Sequence, residues 1–445
     1  MPELTPLKYF DSLYPATTRK KEIQQFIPYL EKGLSSQLVG IPGSGKSNIF
    51  RLLSYNRDVR FENFGEYEKH LHFVYIDSSE VKGRSQSDIT KFILISLAFS
   101  LGERRFATEA QKVNELLKEG LTTPDEMLLF QTLKMSLDYL SIERKLTVHL
   151  LFDKFDTILT TITPQFFNNL RVLRNHAKYR FGSVFSVMRP LEDTVDPVLL
   201  SDYHDLVAGN IIYVTRKDAV GINFRLSYID KAARNSVDQS VRDELIRLTG
   251  GHAKLTKLSY EAIVNDKINI EGLNEFLQTR PTIQGALFEI WNSLLPSEQH
   301  FLQENPTLEG AKNSQPYLVS TELVDESDIT IPLFAEYIST VTIKVSDIIS
   351  YDDQKNEILL GESSITGKIS PSEFKLLKFL AQNKDRIIPK DEIITAVWGD
   401  QKSYEGVTDQ ALDQIFYRLR KKIEQDPANP QHLLTIKGTG YKLAD

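Results

Sequence analysis

The sequence contains no cysteine, and this absence excludes disulfide bridges and zinc sites built on cysteine ligands. Long apolar runs are also missing, so no stretch predicts a segment that crosses a bilayer. The first residues lack a basic stretch followed by an apolar one, and we therefore expect no signal peptide. Internal repeats and low-complexity tracts are missing as well. Together these features predict a cytoplasmic protein with no membrane partner.

Excess positive charge is also missing, because the 445 residues carry a net charge of −7 at pH 7. This balance argues against a chain that coats nucleic acid without sequence preference, yet it allows a local basic surface on one domain. Hydrophobic residues make up 41% of the chain and charged residues 25%, which is typical of a globular protein with several cores. The length predicts roughly three domains of ordinary size.

The most informative stretch that is present covers residues 40–47, which match the phosphate-binding loop pattern G-x-x-x-x-G-K-[ST] at every specified position. A buried strand signal precedes the stretch and a helix signal follows it, whereas the alternative, a Gly/Ser surface turn, needs neither. In this pattern Lys46 reaches the β- and γ-phosphates, and the Ser47 hydroxyl binds Mg²⁺. We therefore expect ATP or ADP to bind through Gly40, Gly43, Ser44, Gly45, Lys46 and Ser47.

A carboxylate that helps to hold Mg²⁺ is expected at the end of a neighbouring buried strand. Asp153 ends the apolar stretch 147–153, and we expect it to anchor the metal through water or together with Ser47. The next residue is Lys154, and a protonated lysine cannot act as a general base. Asp156 is therefore the candidate catalytic base, with slow turnover. The alternative makes Lys154 a solvated residue and Asp156 a helix cap.

Other motifs surround this loop in the order found in one class of ATPases. Residues 19–23 fit an R-x-x-E-hydrophobic box, 153–156 fit a D-x-x-D ending, and 187–190 fit a strand with a terminal arginine. Residues 248–253 resemble a G-G-H-P lid motif with Ala253 in place of the proline. On these motifs the stretch 17–262 resembles the STAND class of signal-transduction ATPases, which are related to the origin-recognition ATPases of the AAA+ group.

The resemblance implies that Arg19 and His252 take part in nucleotide binding and that Arg189 senses the γ-phosphate. Taken singly, Arg19 and Arg189 fit solvated or salt-bridged arginines, and their order along the chain favours the functional interpretation. The family proline contacts adenine, and Ala253 removes that contact. The resemblance also implies that ATP acts as a conformational latch more than as a fuel.

Four further motifs follow one another near the C-terminal end. They are a helix start capped by Ser370 and Glu373, a helix that ends at Trp398-Gly399, an amphipathic helix over 409–423 and a glycine hairpin over 435–443. On these motifs residues 345–443 closely resemble the OmpR/PhoB-type winged-helix DNA-binding domain. The resemblance implies double-stranded DNA as a partner.

The helix over 409–423 has an apolar stripe at three- and four-residue steps, which predicts one buried face and leaves the other faces to meet a major groove. The expected DNA contacts are Gln410, Gln414, Tyr417, Arg418 and Lys421 on this helix, and Lys437 and Lys442 on the hairpin. The alternative for the basic stretch 418–422 is a solvated helix end favoured by the dipole. Gln410-Ala411 replace an Arg-Thr pair of the family, which removes one phosphate or base contact. Because the domain is also close to charge-balanced, we expect DNA affinity to be modest, salt-sensitive and dependent on oligomerisation.

Hydrophobic patterning completes the domain prediction. Apolar runs alternate with amphipathic stretches in the N-terminal half, which predicts strands at 37–39, 72–77, 147–153, 183–188 and 210–214. Helical patterning over 218–277 breaks at Gly250-Gly251, and 317–331 predicts a hairpin around 325–328. Thr123 and Glu126 form a predicted capping box, and 342–349 and 356–360 are predicted entry strands of the last unit.

The predicted fold is an α/β P-loop NTPase core with a five-stranded parallel sheet, a helical lid, a middle winged helix and a C-terminal α+β winged-helix domain. The predicted boundaries are 1–217, 218–280, 281–340 and 341–445. No phosphoacceptor receiver domain precedes the last unit, so nucleotide state would replace phosphorylation as the signal.

Three hypotheses for function follow. The first is an ATP-binding, nucleotide-switched transcriptional regulator with slow hydrolysis, in which ATP can drive homo-oligomer formation. The second is a STAND-type signalling or anti-phage defence switch, whose winged helix senses nucleic acid or a protein and which acts through a separately encoded effector protein. The third is a motor or loader ATPase, against which Lys154 and the lack of an evident arginine finger weigh. A promoter-specific footprint strengthened by ATP distinguishes the first from the second.

Overall fold

A computed structural model of the chain describes residues 9–121, 125–195, 197–200, 203–216, 218–266, 268–304, 306–326, 328–341, 349–361, 363–384, 386–399, 409–424 and 426–444. Contacts divide the chain into two compact units. The first comprises residues 1–190, 202–286 and 331–333, and the second comprises 191–201, 287–330 and 334–445. The finer boundaries at 217, 280 and 340 stay predictions.

The first unit is built on a five-stranded sheet with the strand order β2-β3-β4-β1-β5, in which all neighbours are parallel. The strands are β1 (Ser36–Val39), β2 (Leu71–Asp77), β3 (Thr147–Asp153), β4 (Phe181–Val187) and β5 (Ile211–Tyr213). The predicted sheet is confirmed, and the strand ends differ from the prediction by no more than two residues. Every residue of β3 and β4 is buried, as expected for central strands covered on both faces.

In the part of the chain that the structure describes, one α-helix precedes β1 and nine α-helices lie between the strands in sequence. They are α1 (Lys20–Leu30), α2 (Lys46–Tyr55), α3 (Arg57–Phe64), α4 (Gln86–Glu103), α5 (Ala107–Leu121), α6 (Glu126–Asp138), α7 (Pro164–His176), α8 (Leu191–Thr194), α9 (Pro197–Leu200) and α10 (His204–Val207). Helices α8 and α9 belong to the second unit. The predicted capping residue Thr123 lies outside the described residues, and Asp125 caps α6 by accepting hydrogen bonds from the N–H groups of Met127 and Leu128 at 2.8 and 3.0 Å.

The strand order determines where a ligand can bind. Strands β4 and β1 are neighbours, but β1 leads in the chain to β2 at one edge of the sheet and β4 leads to β5 at the other edge. The strand order therefore reverses between β4 and β1. In a parallel sheet the carboxyl ends of all strands open onto one edge, and ligands bind in the crevice outside that edge. The residues that follow β1, β3 and β4 are therefore brought together.

Among the described residues, the sheet is followed in the first unit by α11 (Ala219–Ala233), α12 (Gln239–Leu248), α13 (Ala253–Ile263) and α14 (Leu273–Gln278). The predicted break between helices is present, because Gly250 and Gly251 adopt φ angles of 57° and 70°. Such left-handed backbone ends a helix and favours glycine. His252 then caps α13.

Helix α15 (Pro281–Ser293) begins in the first unit and ends in the second, which also contains α16 (Pro296–Gln303), α17 (Leu308–Ser314), α18 (Pro316–Ser320) and most of α19 (Pro332–Thr340). A short antiparallel hairpin, β6 (Val324–Asp325) and β7 (Asp328–Ile329), pairs where the sequence predicts one. Residue 327 in its turn lies outside the described residues. Within the described part of the chain, no helix combines the length and apolar composition needed to cross a membrane.

The C-terminal part of this unit has the predicted α+β winged-helix fold. It contains the strands β8 (Ile349–Asp352), β9 (Glu357–Leu360) and β10 (Ser363–Ser364), the helices α20 (Pro371–Gln382), α21 (Lys390–Trp398) and α22 (Asp409–Ile423), and the hairpin β11 (Leu433–Ile436) and β12 (Gly440–Leu443). The Ser370–Glu373 capping box is present at the start of α20. The segment 342–348 of the predicted first entry strand lies outside the described residues.

A single apolar core holds these elements together. It includes residues from β8, β9, all three helices and the hairpin, among them Trp398, Leu412, Phe416, Leu419 and Tyr441. Backbone hydrogen bonds between Ile388 and Tyr441 in both directions tie the hairpin to the loop before α21. The relation of α22 to the hairpin is thereby determined by packing and by backbone pairing.

Candidate functional site

Residues 40–45 form a loop between β1 and α2, and Lys46 and Ser47 begin the helix, as the pattern predicts. Gly43 and Gly45 have φ angles of 75° and 107°, which L side chains rarely adopt. A Cβ atom on Gly43 would lie 2.6 Å from Cβ of Lys254, and one on Gly45 would lie 2.2 Å from Nη2 of Arg19. Both glycines are therefore required by conformation and by space.

Arg19 lies beneath this loop and binds its backbone. Its guanidinium donates from Nη2 to the Ser44 carbonyl at 2.7 Å and from Nη1 to the Thr215 carbonyl at 2.8 Å. Glu22 accepts from Nη1 at 3.0 Å. The buried arginine thus joins the loop to the end of β5. It also lines a cavity next to the loop, which is described below. Arg19 thus supports the backbone of the phosphate loop, a contact that the R-x-x-E box alone did not reveal.

Lys46 is the first residue of α2, and its ammonium donates to the carbonyls of Gly40 and Ile41 in its own loop. Burial lowers the pKa of Lys46 to about 8, although nearby Asp156 and Asp153 act to raise it. The ammonium therefore lies among the loop and both predicted carboxylates. Ser47 follows it and lines the same cavity.

Asp153 is buried at the end of β3. One carboxylate oxygen accepts a hydrogen bond from the Tyr75 hydroxyl at 2.8 Å, and the other accepts from the Lys154 N–H at 3.0 Å. Burial raises the pKa of Tyr75, and the Asp153 charge adds to this effect. Tyr75 is thus a donor to the predicted metal-binding carboxylate. Sequence reasoning missed this residue, although its place in a neighbouring strand, β2, was a usable signal.

Lys154 adopts a left-handed backbone, and its ammonium pairs with the carboxylate of Asp77 at 2.8 Å, at the end of β2. Burial acts to raise the pKa of Asp77, but hydrogen bonds from Lys154 and Ser79 outweigh it and lower the value. Lys154 thus forms an ion pair while its side chain stays 47% exposed, so the alternative of a solvated lysine agrees with the structure.

Asp156 lies two residues further along the chain, and both of its oxygens accept from the Met188 N–H, at 3.2 and 3.1 Å. Burial raises the pKa of Asp156, whereas the Lys46 charge opposes this shift. The carboxylate thus connects the ends of β3 and β4. Ser186 in β4 and Met188 just after β4 line the cavity. Arg189 is not among the described residues that line it. A role for Arg189 stays a prediction.

His252 anchors the start of α13 to the loop. Its Nδ1 accepts a hydrogen bond from the Leu255 N–H at 3.3 Å, and its Nε2 lies 2.9 Å from the Pro42 carbonyl. These partners require a proton on Nε2 and none on Nδ1. Burial lowers the pKa of His252 to about 3, although the bond to Pro42 opposes the shift. The Lys254 N–H also donates to the Gly43 carbonyl at 3.1 Å.

Arg19, residues 42–47, Asp153, Lys154 and Asp156 line one cavity of about 720 Å³ in the first unit, whereas the predicted ligand residues Gly40 and His252 are not among its lining residues. This volume lies within the usual range for small-molecule sites. One end is formed by the loop, Lys46 and the carboxylates, and the other end is more apolar. Sequence reasoning missed the residues of that end, which are Phe10, Tyr14, Ile222, Arg225 and Leu226. The aromatic residues before α1 were the available signal.

On α22 the predicted contacts divide into two groups. Gln410, Gln414, Tyr417 and Lys421 are exposed and recur at three- and four-residue steps, so they form one stripe. Tyr417 is 56% exposed, and the Lys421 ammonium lies 4.6 Å from the centre of its ring. We call these four residues the exposed stripe of α22.

Arg418 corrects the prediction for this helix. It is only 5% exposed, and its Nη1 donates to the Val195 carbonyl within the second unit. Its Nε lies 3.7 Å from Glu373, which also binds the Lys422 ammonium at 2.7 Å. Sequence periodicity placed Arg418 beside the exposed stripe but could not show that another segment covers it.

The hairpin after α22 positions the two predicted lysines of the wing. Lys437 is exposed in the turn, and Lys442 lies in β12. A Cβ atom on Gly440 would lie 2.0 Å from the Ile388 carbonyl, so the hairpin can approach that loop only with glycine there. Tyr441 stacks on Phe416 and donates its hydroxyl to Asp413 at 2.6 Å. The wing is thereby fixed against α22.

Comparison with known proteins supports the assignment of this part of the chain. Residues 366–443 match the family described as "Transcriptional regulatory protein, C terminal". The sensory transduction protein RegX3 of Mycolicibacterium smegmatis is 49% identical over 71 residues, which cover 16% of this chain and 30% of that protein. The match therefore spans less than a third of that relative's length.

Solved structures resemble the chain at low identity. The Walker-type ATPase PABY2304 of Pyrococcus abyssi has a TM-score of 0.44 and 14% identity over 74% of this chain and 99% of its own. The ORC1 protein of Aeropyrum pernix, solved in complex with DNA, has a TM-score of 0.36 and 13% identity over 83% of this chain and 94% of its own. The strand order and the loop themselves establish the P-loop ATPase type of fold in the first unit.

Proposed function

We propose that this chain is an ATP-binding, nucleotide-switched DNA-binding transcriptional regulator that hydrolyses ATP slowly. The observation that carries the proposal is the union of two sites in one chain. A phosphate-binding loop held by a lid helix lies in the first unit, and a winged helix with an exposed polar stripe lies in the second. The match to the C-terminal part of transcriptional regulatory proteins supports the second half of the proposal.

The shape and chemistry of the cavity support a nucleoside triphosphate as ligand. The loop N–H groups, the start of α2 and Lys46 suit phosphate groups at one end. Phe10 and Tyr14 supply aromatic surface for a base at the other end.

The donor set also fits Mg²⁺. The Ser47 hydroxyl and the Asp153 carboxylate are hard oxygen ligands, which Mg²⁺ prefers together with phosphate oxygens and water. Among the described residues, no group of three or more His, Cys, Asp or Glu side chains could hold a metal by itself, which suits an ion that binds with the nucleotide. When bound, the ion supplies positive charge that offsets the charge of the phosphates.

Slow hydrolysis is proposed because the groups available for proton transfer are few. Lys154 is paired with Asp77, so it brings no base to the nucleotide. Asp156 is the candidate base, since burial raises the pKa of its carboxyl and thereby increases its basicity. Its two oxygens also accept the Met188 N–H, which leaves this carboxylate with a structural task as well.

The same contact provides a basis for switching. Asp156 joins the Lys46 end of the cavity to the end of β4, and His252 joins the loop to the lid helix α13. A ligand that draws Lys46 away from the Gly40 and Ile41 carbonyls would alter both connections. In that way nucleotide binding would bias the position of the lid and of the segment after β4.

The exposed stripe of α22 supplies amide, phenol and ammonium groups that can meet base edges and phosphates. Lys437 and Lys442 would add phosphate or minor-groove contacts from the wing. With few cations on this surface, the affinity for duplex DNA should be modest and should decrease with salt. Homo-oligomer formation remains part of the proposal, whereas a separately encoded effector belongs to the alternative, the signalling or defence switch.

The test compares the wild-type chain with Lys46→Ala and with a matched control, Lys91→Ala, which changes a partly exposed α4 residue whose ammonium lies 3.9 Å from the Asp88 carboxylate. Lys46→Ala should abolish ATP binding, because the loop loses its one phosphate-binding ammonium. It should also remove the ATP-induced change in DNA occupancy, whereas Lys91→Ala should retain both. Equilibrium nucleotide binding, a DNA selection on the full chain with and without ATP, and solution mass are measured together.

Two results would contradict this proposal. Unchanged DNA occupancy after ATP binding would show that nucleotide does not switch DNA binding. A chain that binds ATP but no duplex even at low salt would instead favour the signalling or defence switch, in which the winged helix binds another partner.

A further inference from the structure

The segment after β4 departs from the chain order of the units. Residues 191–201 group with the second unit, although the residues before and after them belong to the first. Of the described residues in this segment, Leu191, Val195 and Leu200 are buried. A segment that starts three residues after Met188 therefore belongs structurally to the unit that carries the winged helix.

This segment packs against α22. Helix α9, which ends at Leu200, is in contact with α22. The Val195 carbonyl accepts a hydrogen bond from Nη1 of Arg418. The carbonyl lies just after the end of the short helix α8, where carbonyl groups are free of helical partners. The cationic guanidinium is a suitable partner for such a group.

Only some of the N–H donors of Arg418 have hydrogen-bond acceptors in this docked position. Its Nε and Nη2 atoms are buried without a hydrogen-bond partner among the described residues. A guanidinium has five N–H donors, and burying them unpaired is unfavourable. Glu373 would not lose its partner if Arg418 left, because Lys422 binds it at 2.7 Å. The contact with Val195 is thus one that a better partner can replace.

A better partner would approach from the neighbouring face. Arg418 follows Gln414 by four residues and precedes Lys421 by three, so it borders the exposed stripe of α22. A phosphate group accepts two parallel hydrogen bonds from an arginine and carries full negative charge. The docked segment therefore withholds a cation that lies within reach of a duplex on the stripe.

We propose that residues 191–195 and 197–200 act as an intramolecular cover for α22, and that Arg418 exchanges the Val195 carbonyl for a backbone phosphate of duplex DNA when the cover is released. The cover holds the winged helix in a weakly binding form. Release adds one phosphate contact and strengthens binding. The inference rests on the proposed DNA binding but not on its dependence on ATP.

The test weakens the cover without touching Arg418. Leu200→Ala removes buried apolar contact at the end of α9, and it should raise the affinity for a random-sequence duplex about five-fold or more, a typical size for coupling of this kind. The slope of log affinity against log salt should also steepen by about 0.9, the value for one added phosphate contact. Arg418→Ala in the Leu200→Ala background should remove both effects.

Controls separate this inference from loss of folding and from loss of DNA binding. Leu200→Val is a milder change that should give a smaller effect of the same sign, and thermal unfolding reports the stability of each variant. Lys421→Ala should weaken DNA binding equally with and without Leu200→Ala, because it lies on the exposed stripe. If no variant binds duplex at low salt, the proposed function itself is wrong.

The opposite outcomes would overturn the inference alone. Unchanged affinity and slope in a folded Leu200→Ala chain that binds DNA would show that the segment covers nothing relevant. An equal gain with and without Arg418 would show that this arginine is not the group released. Hydrogen exchange of the amides in 191–200 adds a direct observation, since Arg418→Ala should accelerate it and Lys421→Ala should not.

Discussion

His252 makes two hydrogen bonds that only its neutral imidazole can provide. The ring accepts from the Leu255 N–H at Nδ1 and donates to the Pro42 carbonyl at Nε2. A proton on Nδ1 would place a donor against a donor at the start of α13. Burial lowers the pKa of His252 to about 3, so the neutral form and the anchor persist far below neutral pH.

Two further buried histidines share this behaviour, and together they predict an acid-sensitive stability. Burial lowers the pKa of His149 to about 4 and that of His72 well below 6.5. Above pH 6.5 all three are neutral in the folded and unfolded chains, so their contribution is complete there. As the pH falls below 6.5, only the unfolded chain takes up protons, and the free energy of unfolding decreases by about 1.4 kcal/mol per pH unit for each histidine.

His149→Gln tests this for one residue, because glutamine can still donate to the Leu30 carbonyl that His149 contacts at 2.7 Å. Denaturant unfolding between pH 7 and pH 4.5 should show a shallower pH dependence in the variant by about that amount per unit. Parallel curves for wild type and His149→Gln would contradict the assignment.

At the scale of elements, the contact between the loop and α13 predicts a large effect of a single methyl group. Gly43→Ala would place Cβ 2.6 Å from Cβ of Lys254 and 2.8 Å from the His252 ring, at a φ of 75°. The start of α13 must then move away from the loop. We expect ATP affinity to decrease at least ten-fold, equivalent to about 1.4 kcal/mol, in a titration with a fluorescent nucleotide.

Gly209→Ala is a matched control for this prediction. Gly209 has a φ of 73°, and a Cβ atom there would meet nothing within 4 Å. The two variants therefore share the backbone strain, of order 1 kcal/mol, but only Gly43→Ala displaces a helix. Equal ATP affinity in both variants would mean that the lid contact does not matter for binding.

The elements themselves show how far the sequence could lead. Strands with short, mostly apolar runs and helices with periodic stripes were predictable, because their burial follows from local pattern, and β3 and α22 were predicted to the residue. The phosphate loop was equally predictable from the sequence, because its glycines are required by local backbone conformations with positive φ angles. Asp153 and His252 could be placed from short motifs, since each lies directly at the end of an element.

Contacts between distant segments were not accessible in this way. Nothing in residues 191–200 indicates that they pack on α22, and this contact is why Arg418 is buried. The Arg19 contact with the loop spans 25 residues of sequence and the Tyr75 contact with Asp153 spans 78. Such partners depend on strand order and on docking, which a single sequence does not encode as a periodic pattern.

At the scale of the whole molecule, two binding events must share free energy if nucleotide controls DNA binding. The backbone itself connects the two sites. Asp156 binds the end of β4, and the segment that directly follows β4 in the chain packs on α22. A route of this kind acts as a switch only if the segment has two arrangements that both ligands bias. Docked and released positions of 191–200 would be those arrangements.

Thermodynamic linkage makes the last prediction quantitative. If ATP strengthens DNA binding by some factor, duplex DNA must strengthen ATP binding by the same factor, because both arise from one coupling free energy. We expect a factor of about five or more in the wild-type chain, measured in both directions with a hydrolysis-resistant ATP analogue at constant salt. Lys421→Ala should weaken DNA binding while leaving this factor unchanged, since it alters the stripe alone. Arg418→Ala should bring the factor close to one while both ligands still bind, because the group that distinguishes the two arrangements is gone. A factor that survives Arg418→Ala would place the coupling elsewhere, and unequal factors in the two directions would mean that the binding equilibria had been disturbed by hydrolysis or assembly.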